Sequence, residues 1–223
     1  IGYDRCKHFK IKLREVSNIE DLSNLLLKLE NRSDLMVIRG APRDDVDQSK
    51  TVFRQTYDPR KGAANQPVQE KPFEDKPISW IMIDVDKQHL PSGTDLIKDT
   101  DMAIGHIVAQ LPVEFQGVSY HWQLSSSAGI YNTDHVSVHL WFWLSSPQTS
   151  MDLREWAKTF NLIEGKSLID TALFQAVQPH YTSAPALHSG ISAPFTNRSG
   201  LVKCSKPSVD IDCSIQAPSM TQD

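Results

Sequence analysis

The sequence predicts an α/β or α+β domain organised around one mixed sheet. Three observations carry this prediction. Strand-like segments alternate along the chain with segments of helical spacing. Two of the strand-like segments, "SWIMIDVD" and "HVSVHLWFWL", are apolar runs of strand length bounded by polar turns. The 223 residues, 39% of them apolar and 22% charged, suffice for one large core.

In chain order, "FKIKLREV" sets Phe9, Ile11 and Leu13 between basic residues, as a half-buried strand does. Ser17 and Glu20 form a capping-box pattern. Leu22, Leu25, Leu26 and Leu29 then share one helical face. "LMVIRG" reads as a second strand. Residues 41–77 are polar and proline-punctuated, and read as a long loop. A strand follows over 78–86, then a helix over about 99–110 that ends before Pro112. "GVSYHWQLSSS" is a strand entering a polar turn. "HVSVHLWFWL" is the strongest strand pattern, and "SMDLREWAKTFN" an amphipathic helix with a Ser or Thr cap. "SLIDTALFQAV" opens a short helical segment. Beyond Pro179 only "LVKCSKPSVDID" suggests strands.

Composition narrows the function classes. No apolar run reaches the roughly 18 residues of a membrane span, and the first residues are charged rather than those of a signal peptide. Cys6, Cys204 and Cys213 have no CxxC spacing, which argues for reduced thiols in a cytoplasmic setting and against structural zinc. The net charge of −4 argues against a non-specific nucleic-acid binder but allows a local basic groove. The chain does not begin with Met, and it is expected to be a fragment or a processed form.

The chemistry concentrates in three places. In the strand over 80–86, alternation puts Ile81, Ile83 and Val85 on one face and Trp80, Met82, Asp84 and Asp86 on the other. Asp84 and Asp86 are then about 7 Å apart along the strand. Two unpaired carboxylates repel, and burial raises their pKa values. A pair of oxygen-ligated divalent ions relieves the repulsion and suits phosphoryl transfer, with Mg²⁺ or Mn²⁺ as the matching metals. Next, His135, Ser137 and His139 share the polar face of "HVSVHLWFWL", downstream of the hydroxyl-rich turn Ser125–Gly129. Last, Asp170 ends the apolar "SLID". Taken singly, these have ordinary structural readings: a strand end, a satisfied strand histidine and a helix cap.

Their order, "IMIDVD" (81–86), "SVH" (137–139) and "LID" (168–170), resembles the archaeo-eukaryotic primase superfamily, especially the primase–polymerases of plasmids, phages and other mobile elements. The stretch "DTALFQAVQPHYTSAPAL" is also similar to those enzymes. The resemblance covers roughly 78–200. It implies an RNA-recognition-like sheet with a smaller N-terminal α/β unit, and an active site in the cleft between them. The implied units are 1–77 and 78–205 of one catalytic domain, with 206–223 as tail or linker. It implies a template-directed nucleotidyltransferase in which Asp84, Asp86 and Asp170 hold two Mg²⁺ or Mn²⁺ ions. His139 and Ser137 would contact the nucleotide triphosphate, with the turn Ser127–Gly129 near the phosphates. Six residues, "IYNTDH", separate that turn from Val136, where relatives often have a shorter gap. Lys87, Arg54, Arg60, Lys61 and Arg198 are candidate phosphate cations. The implied partners are nucleoside triphosphates, single-stranded DNA template and primer, and a helicase outside this chain.

Two other readings use different residues. A rolling-circle initiator or relaxase would use His135 and His139 with Tyr181 as nucleophile. A non-catalytic single-strand binder would stack bases on Trp141 and Trp143. Asp210 and Asp212 rival Asp170 as the third carboxylate.

Overall fold

The computed structural model describes residues 8–53, 72–130, 132–165, 168–187, 189–190 and 192–213. The N-terminal part holds β1 (His8–Phe9), α1 (Ile19–Leu29), β2 (Val37–Ile38), β3 (Ala41–Pro42), β4 (Val52–Phe53) and β5 (Phe73–Glu74). Beyond it come β6 (Ile78–His89), α2 (Thr100–Val108), β7 (Tyr120–Leu124), β8 (His135–Gln148), α3 (Ser150–Ile163), β9 (Pro179–His180) and β10 (Ser199–Val202). None of the described helices is long and apolar enough to cross a membrane.

The main sheet has the spatial order β10-β7-β8-β6, and every neighbouring pair in it is antiparallel. The expected mixed sheet is corrected on this point. Parallel pairing occurs only as the isolated bridges Val118↔Lys206 and Leu144↔Val209 among the described residues. From β6 to β10 the elements of this sheet and its two helices run β-α-β-β-α-β. β6 and β7 flank β8, and β8 and β10 flank β7, so each helix links two strands that are parallel to each other but not adjacent.

The alternation of β6 and β8 divides the core between the two faces of the sheet. On one face Ile81, Ile83 and Val85 join Val136, Val138, Leu140 and Phe142 against Ala103, Ile104 and Ile107 of α2 and Leu153 and Ala157 of α3. On the other, Trp80, Met82 and Trp141 pack under Ile19, Leu22 and Leu26 of α1. Pairing of β2 with β9 and contact of α1 with β7 and β10 tie the N-terminal part to this second face.

Local signals explain the helix starts. α3 has the expected cap: Thr149 Oγ1 accepts from the Asp152 N–H at 3.1 Å, and the Thr149 N–H donates back to Asp152 at 3.4 Å. Asp75 adds a second carboxylate there, accepting from the N–H groups of Ser150 and Met151 at 2.7 and 2.9 Å. The cap of α1 lies one residue later than Ser17 and Glu20 suggest. Asn18 accepts from the Asp21 N–H at 2.8 Å, and Asp21 accepts from the Ser17 N–H at 3.2 Å. Asn caps as well as Ser, and the pair Asn18/Asp21 has the same three-residue spacing.

Three further expectations are corrected. The strand over "FKIKLREV" is only His8–Phe9, because the described ladder offers it only Val52–Phe53, and Leu13 stays 55% exposed. The loop over 41–77 contains the short strands β3, β4 and β5, with β3 paired to β5 and β4 to β1. The tail expected from residue 206 belongs to the core as far as it is described: Val209 is fully buried beside Leu144 and Ile211 is nearly so. Residues 214–223 lie outside the described residues, as do Cys6, Arg54, Arg60 and Lys61.

Candidate active site

The second face of the sheet changes character along β6 and β8. Beneath α1 its rungs are aromatic, Trp80↔Trp143 and Met82↔Trp141. The next rung is Asp84↔His139. A β-bulge follows, in which Asp86 and Lys87 together oppose Ser137, and regular pairing resumes at Gln88↔Val136 and His89↔His135. Lys87 adopts φ 51°, a left-handed conformation rare for a residue with a side chain. The Ser137 hydroxyl holds the bulge. It accepts from the Lys87 N–H at 2.9 Å and donates to Asp86 Oδ1 at 2.6 Å. Asp84 and Asp86 therefore share one face with Ser137 and His139, as alternation predicts, and each faces a polar partner across the ladder.

Ser137→Ala would leave the Lys87 N–H and the Asp86 carboxylate without this hydroxyl. The expected loss is about 1–2 kcal/mol of unfolding free energy, read from the shift of the urea midpoint. An unchanged midpoint would mean that the bulge does not depend on Ser137.

Asp84 sits at the centre of the electrostatics. Its side chain is 28% exposed and that of His139 17%, with His139 Nε2 3.5 Å from Asp84 Oδ1. Burial raises the Asp84 carboxyl above the usual carboxylate range, and the charges of Asp86 and Asp170 push the same way, while His139 opposes them. Burial lowers His139 below the ordinary histidine value despite the pull of Asp84 and Asp86. The fold thus brings Asp170 into the field of Asp84. Asp210, by contrast, accepts from Ser145 Oγ beyond the aromatic rungs, at 2.8 Å.

The three carboxylates do not form a closed ligand set here. Asp86 Oδ1 is turned to Ser137, and Asp170 Oδ1 accepts from the Ala172 N–H at 2.8 Å as the cap of the short 3₁₀ turn Thr171–Leu173. Among the described residues, ligand atoms from three metal-binding side chains lie within 4.8 Å of one another only at His89, Asp134 and His135. The donors around Asp84 nonetheless fit hard divalent ions. They are carboxylate oxygens on one strand face, and their mutual repulsion is the kind that a cation offsets.

The other predicted residues are distributed as follows. Lys87 is exposed at the bulge. The turn Ser125–Gly129 continues from β7, with the Ser125 N–H donating to the Ser137 carbonyl at 2.9 Å. Ser127 Oγ lies 3.4 Å from Ser125 Oγ, and Gly129 has φ 68° with the Phe195 ring where a side chain would stand. Arg198 does not offer an open cation. It is nearly buried, lies over the Phe195 ring and donates to the Ser125 carbonyl, so it braces this turn. Trp141 is fully buried under α1 and is closed to a stacking base, which corrects the use of that residue as a single-strand platform. Trp143 is half-buried against the same cluster.

Sequence reasoning missed the buried polar layer beside His139. His121 and Gln123 of β7 lie on the same face, Gln123 directly opposite His139. His180 is buried edge-on to Trp80 and Trp141, with ring centroids 6.0 and 5.8 Å apart. His121 Nδ1 meets Ser23 Oγ at 2.9 Å, and the Gln123 side-chain NH₂ donates to the Thr182 carbonyl. Burial lowers His121 to about 4 and His180 to about 3, so both are neutral. Among the described residues neither ring nitrogen of His180 has a hydrogen-bond partner, nor has His139 Nδ1. The signal was available in "SYHWQL", whose His and Gln alternate with apolar residues at the period of a strand.

Comparison with protein-family models, with curated proteins and with solved structures gives no match.

Proposed function

We propose that the chain is a template-directed nucleotidyltransferase of the archaeo-eukaryotic primase kind, extending a primer on single-stranded DNA with nucleoside triphosphates. The observation that carries the reading is the pair of successive polar contacts, Asp84 with His139 and Asp86 with Ser137, with Asp170 close enough to act on Asp84. The β-α-β-β-α-β order along the chain is that of an RNA-recognition-like unit, with the difference that β7 and β8 are the central strands and β6, which carries the carboxylates, lies at the edge. The N-terminal part would form the second wall of the cleft.

In this reading Asp84, Asp86 and Asp170 would hold two Mg²⁺ or Mn²⁺ ions, which when bound supply positive charge to the attacking and leaving oxygens. The chain's own part is positioning. The bulge fixes Asp86 through Ser137, and the ladder fixes Asp84 against His139. His139 is neutral in this setting, so its ring can donate to a phosphate oxygen without first breaking a charged pair. The negative charge of a triphosphate would raise its proton affinity and strengthen that contact. The exposed Lys87 lies in the bulge next to Asp86. In such a reaction the 3′-oxygen of the primer would bond to the α-phosphorus, its proton passing to solvent, as the bond from the α-phosphorus to the bridging oxygen breaks and pyrophosphate leaves with that electron pair.

The test is incubation with a primed template, labelled nucleotides and Mg²⁺ or Mn²⁺. Incorporation is expected with the unmodified protein, and Asp170→Asn should reduce it almost as far as loss of Asp84. Asn keeps the cap to Ala172, so full activity in that variant would show that Asp170 serves only as a cap. No incorporation under any condition would remove the reading. A covalent 5′-phosphotyrosine adduct through Tyr181 would replace it with the relaxase chemistry.

A further inference from the structure

We infer that His89, His135 and Asp134 form a site for a divalent transition-metal ion of the Zn²⁺ class, separate from the carboxylate centre. The bulge creates it. Strict alternation from Asp84 would place His89 on the face of Val85, against α2 and α3. The extra residue at Asp86–Lys87 reverses the parity, so Gln88 faces the core side opposite Val136 and His89 comes onto the polar face opposite His135.

The geometry of the two rings is not that of a simple hydrogen bond, and it holds two nitrogens at the separation an ion needs. Their Nε2 atoms are 3.2 Å apart and their ring centroids 3.9 Å apart, with planes inclined by 46°. Two imidazoles joined head to head by an N–H···N bond would have centroids roughly 5.4 Å apart. Here the rings lie side by side, and both nitrogens leave from the same edge and converge slightly. A tetrahedral ion with two Zn–N bonds of about 2.0–2.1 Å holds its nitrogens about 3.3–3.4 Å apart, close to the separation already present, and the ring centroids about 5 Å apart, so the two rings must splay outward about their nitrogens as the ion enters.

Asp134 sets the tautomer. Its Oδ1 is 2.8 Å from His135 Nδ1, so that nitrogen carries the proton and Nε2 keeps its lone pair for a metal. The backbone anchors the cluster from both sides, through Leu90 N–H to the Asp134 carbonyl at 2.9 Å and Leu96 N–H to the Thr133 carbonyl at 2.8 Å. Imidazole nitrogens select Zn²⁺, Co²⁺ or Ni²⁺ over Mg²⁺. Two nitrogens with one carboxylate at hand leave coordination positions open to water or another oxygen ligand, unlike a closed structural site.

Co²⁺ is the probe, because its visible absorption reports coordination directly. Titration of the chain, freed of metal by a chelator, should give one saturable Co²⁺ site with the strong visible absorption of tetrahedral coordination, displaced by Zn²⁺ and distinct from weakly absorbing oxygen-ligated Co²⁺. His89→Ala and His135→Ala should each weaken it at least 100-fold, and Asp134→Asn about 10- to 100-fold. Asp84→Ala and His106→Ala should leave it unchanged, which keeps the result independent of the proposed polymerase centre. Loss of the signal in Asp84→Ala with retention in both histidine variants would put the ion at the carboxylates and overturn the inference. Absence of saturable binding would overturn it as well.

Discussion

Asp84→Asn is expected to abolish nucleotide incorporation, by about 1,000-fold or more, while the protein remains folded and at least as stable. The activity follows from the proposed role of Asp84 between Asp86, Asp170 and His139. The stability follows from its pKa. The folded carboxyl is raised by burial first and by its acidic neighbours next, so ionising it costs more in the folded state than in the unfolded one. A carboxyl with a raised folded pKa binds more protons folded than unfolded, so its contribution worsens as pH rises through that range. Asn keeps the shape and removes the charge, and its melting temperature at pH 7.5 should be equal or higher. Activity near that of the unmodified chain would end the carboxylate assignment. Lost activity with a lowered melting temperature would show that Asp84 is structural instead.

The second large effect is acid unfolding driven by buried histidines. His121 and His180 are held at about 4 and about 3 in the folded chain, in each case by burial first. Their ordinary value is near 6.5, so between pH 6.5 and 4 the unfolded chain binds protons that the folded chain refuses, and stability falls as pH falls. His121 alone accounts for roughly 3 kcal/mol lost by pH 4, and His180 for a similar amount. Together that is comparable with the whole stability of a typical domain. The urea midpoint should be highest above pH 7 and drop steeply below pH 6. A double variant, His121→Gln with His180→Gln, should be less stable at pH 7.5 but much flatter with pH. A profile as steep in the double variant as in the unmodified chain would show that other groups drive the acid transition.

The helices and the two long strands were legible because their signals are local. The apolar spacing of Leu22 and Leu26, the Thr149 cap and the unbroken run of "HVSVHLWFWL" act over a few residues, and each appears where expected. The short strands β3, β4 and β5 were not legible. A two-residue strand has almost no pattern of its own and exists through its partner, as Ala41–Pro42 does through Phe73–Glu74. The burial of Val209 and Ile211 was hidden as well: "SVDID" alternates like a strand, but only its placement beside Leu144 shows that it joins the core rather than a tail.

The sequence by itself determined which faces Asp84, Asp86, Ser137 and His139 occupy, because a strand alternates and its apolar residues must face the core. It could not determine what stood opposite them. Register is a property of two strands, and only pairing put Asp84 against His139, Asp86 against Ser137 and Gln123 beside them. Nor could it show the bulge at Lys87, where one extra residue reverses the alternation and brings His89 to His135. The neutral, buried state of His121 and His180 was likewise decided in three dimensions, since it depends on desolvation under α1 and between Trp80 and Trp141 rather than on any neighbour in the chain.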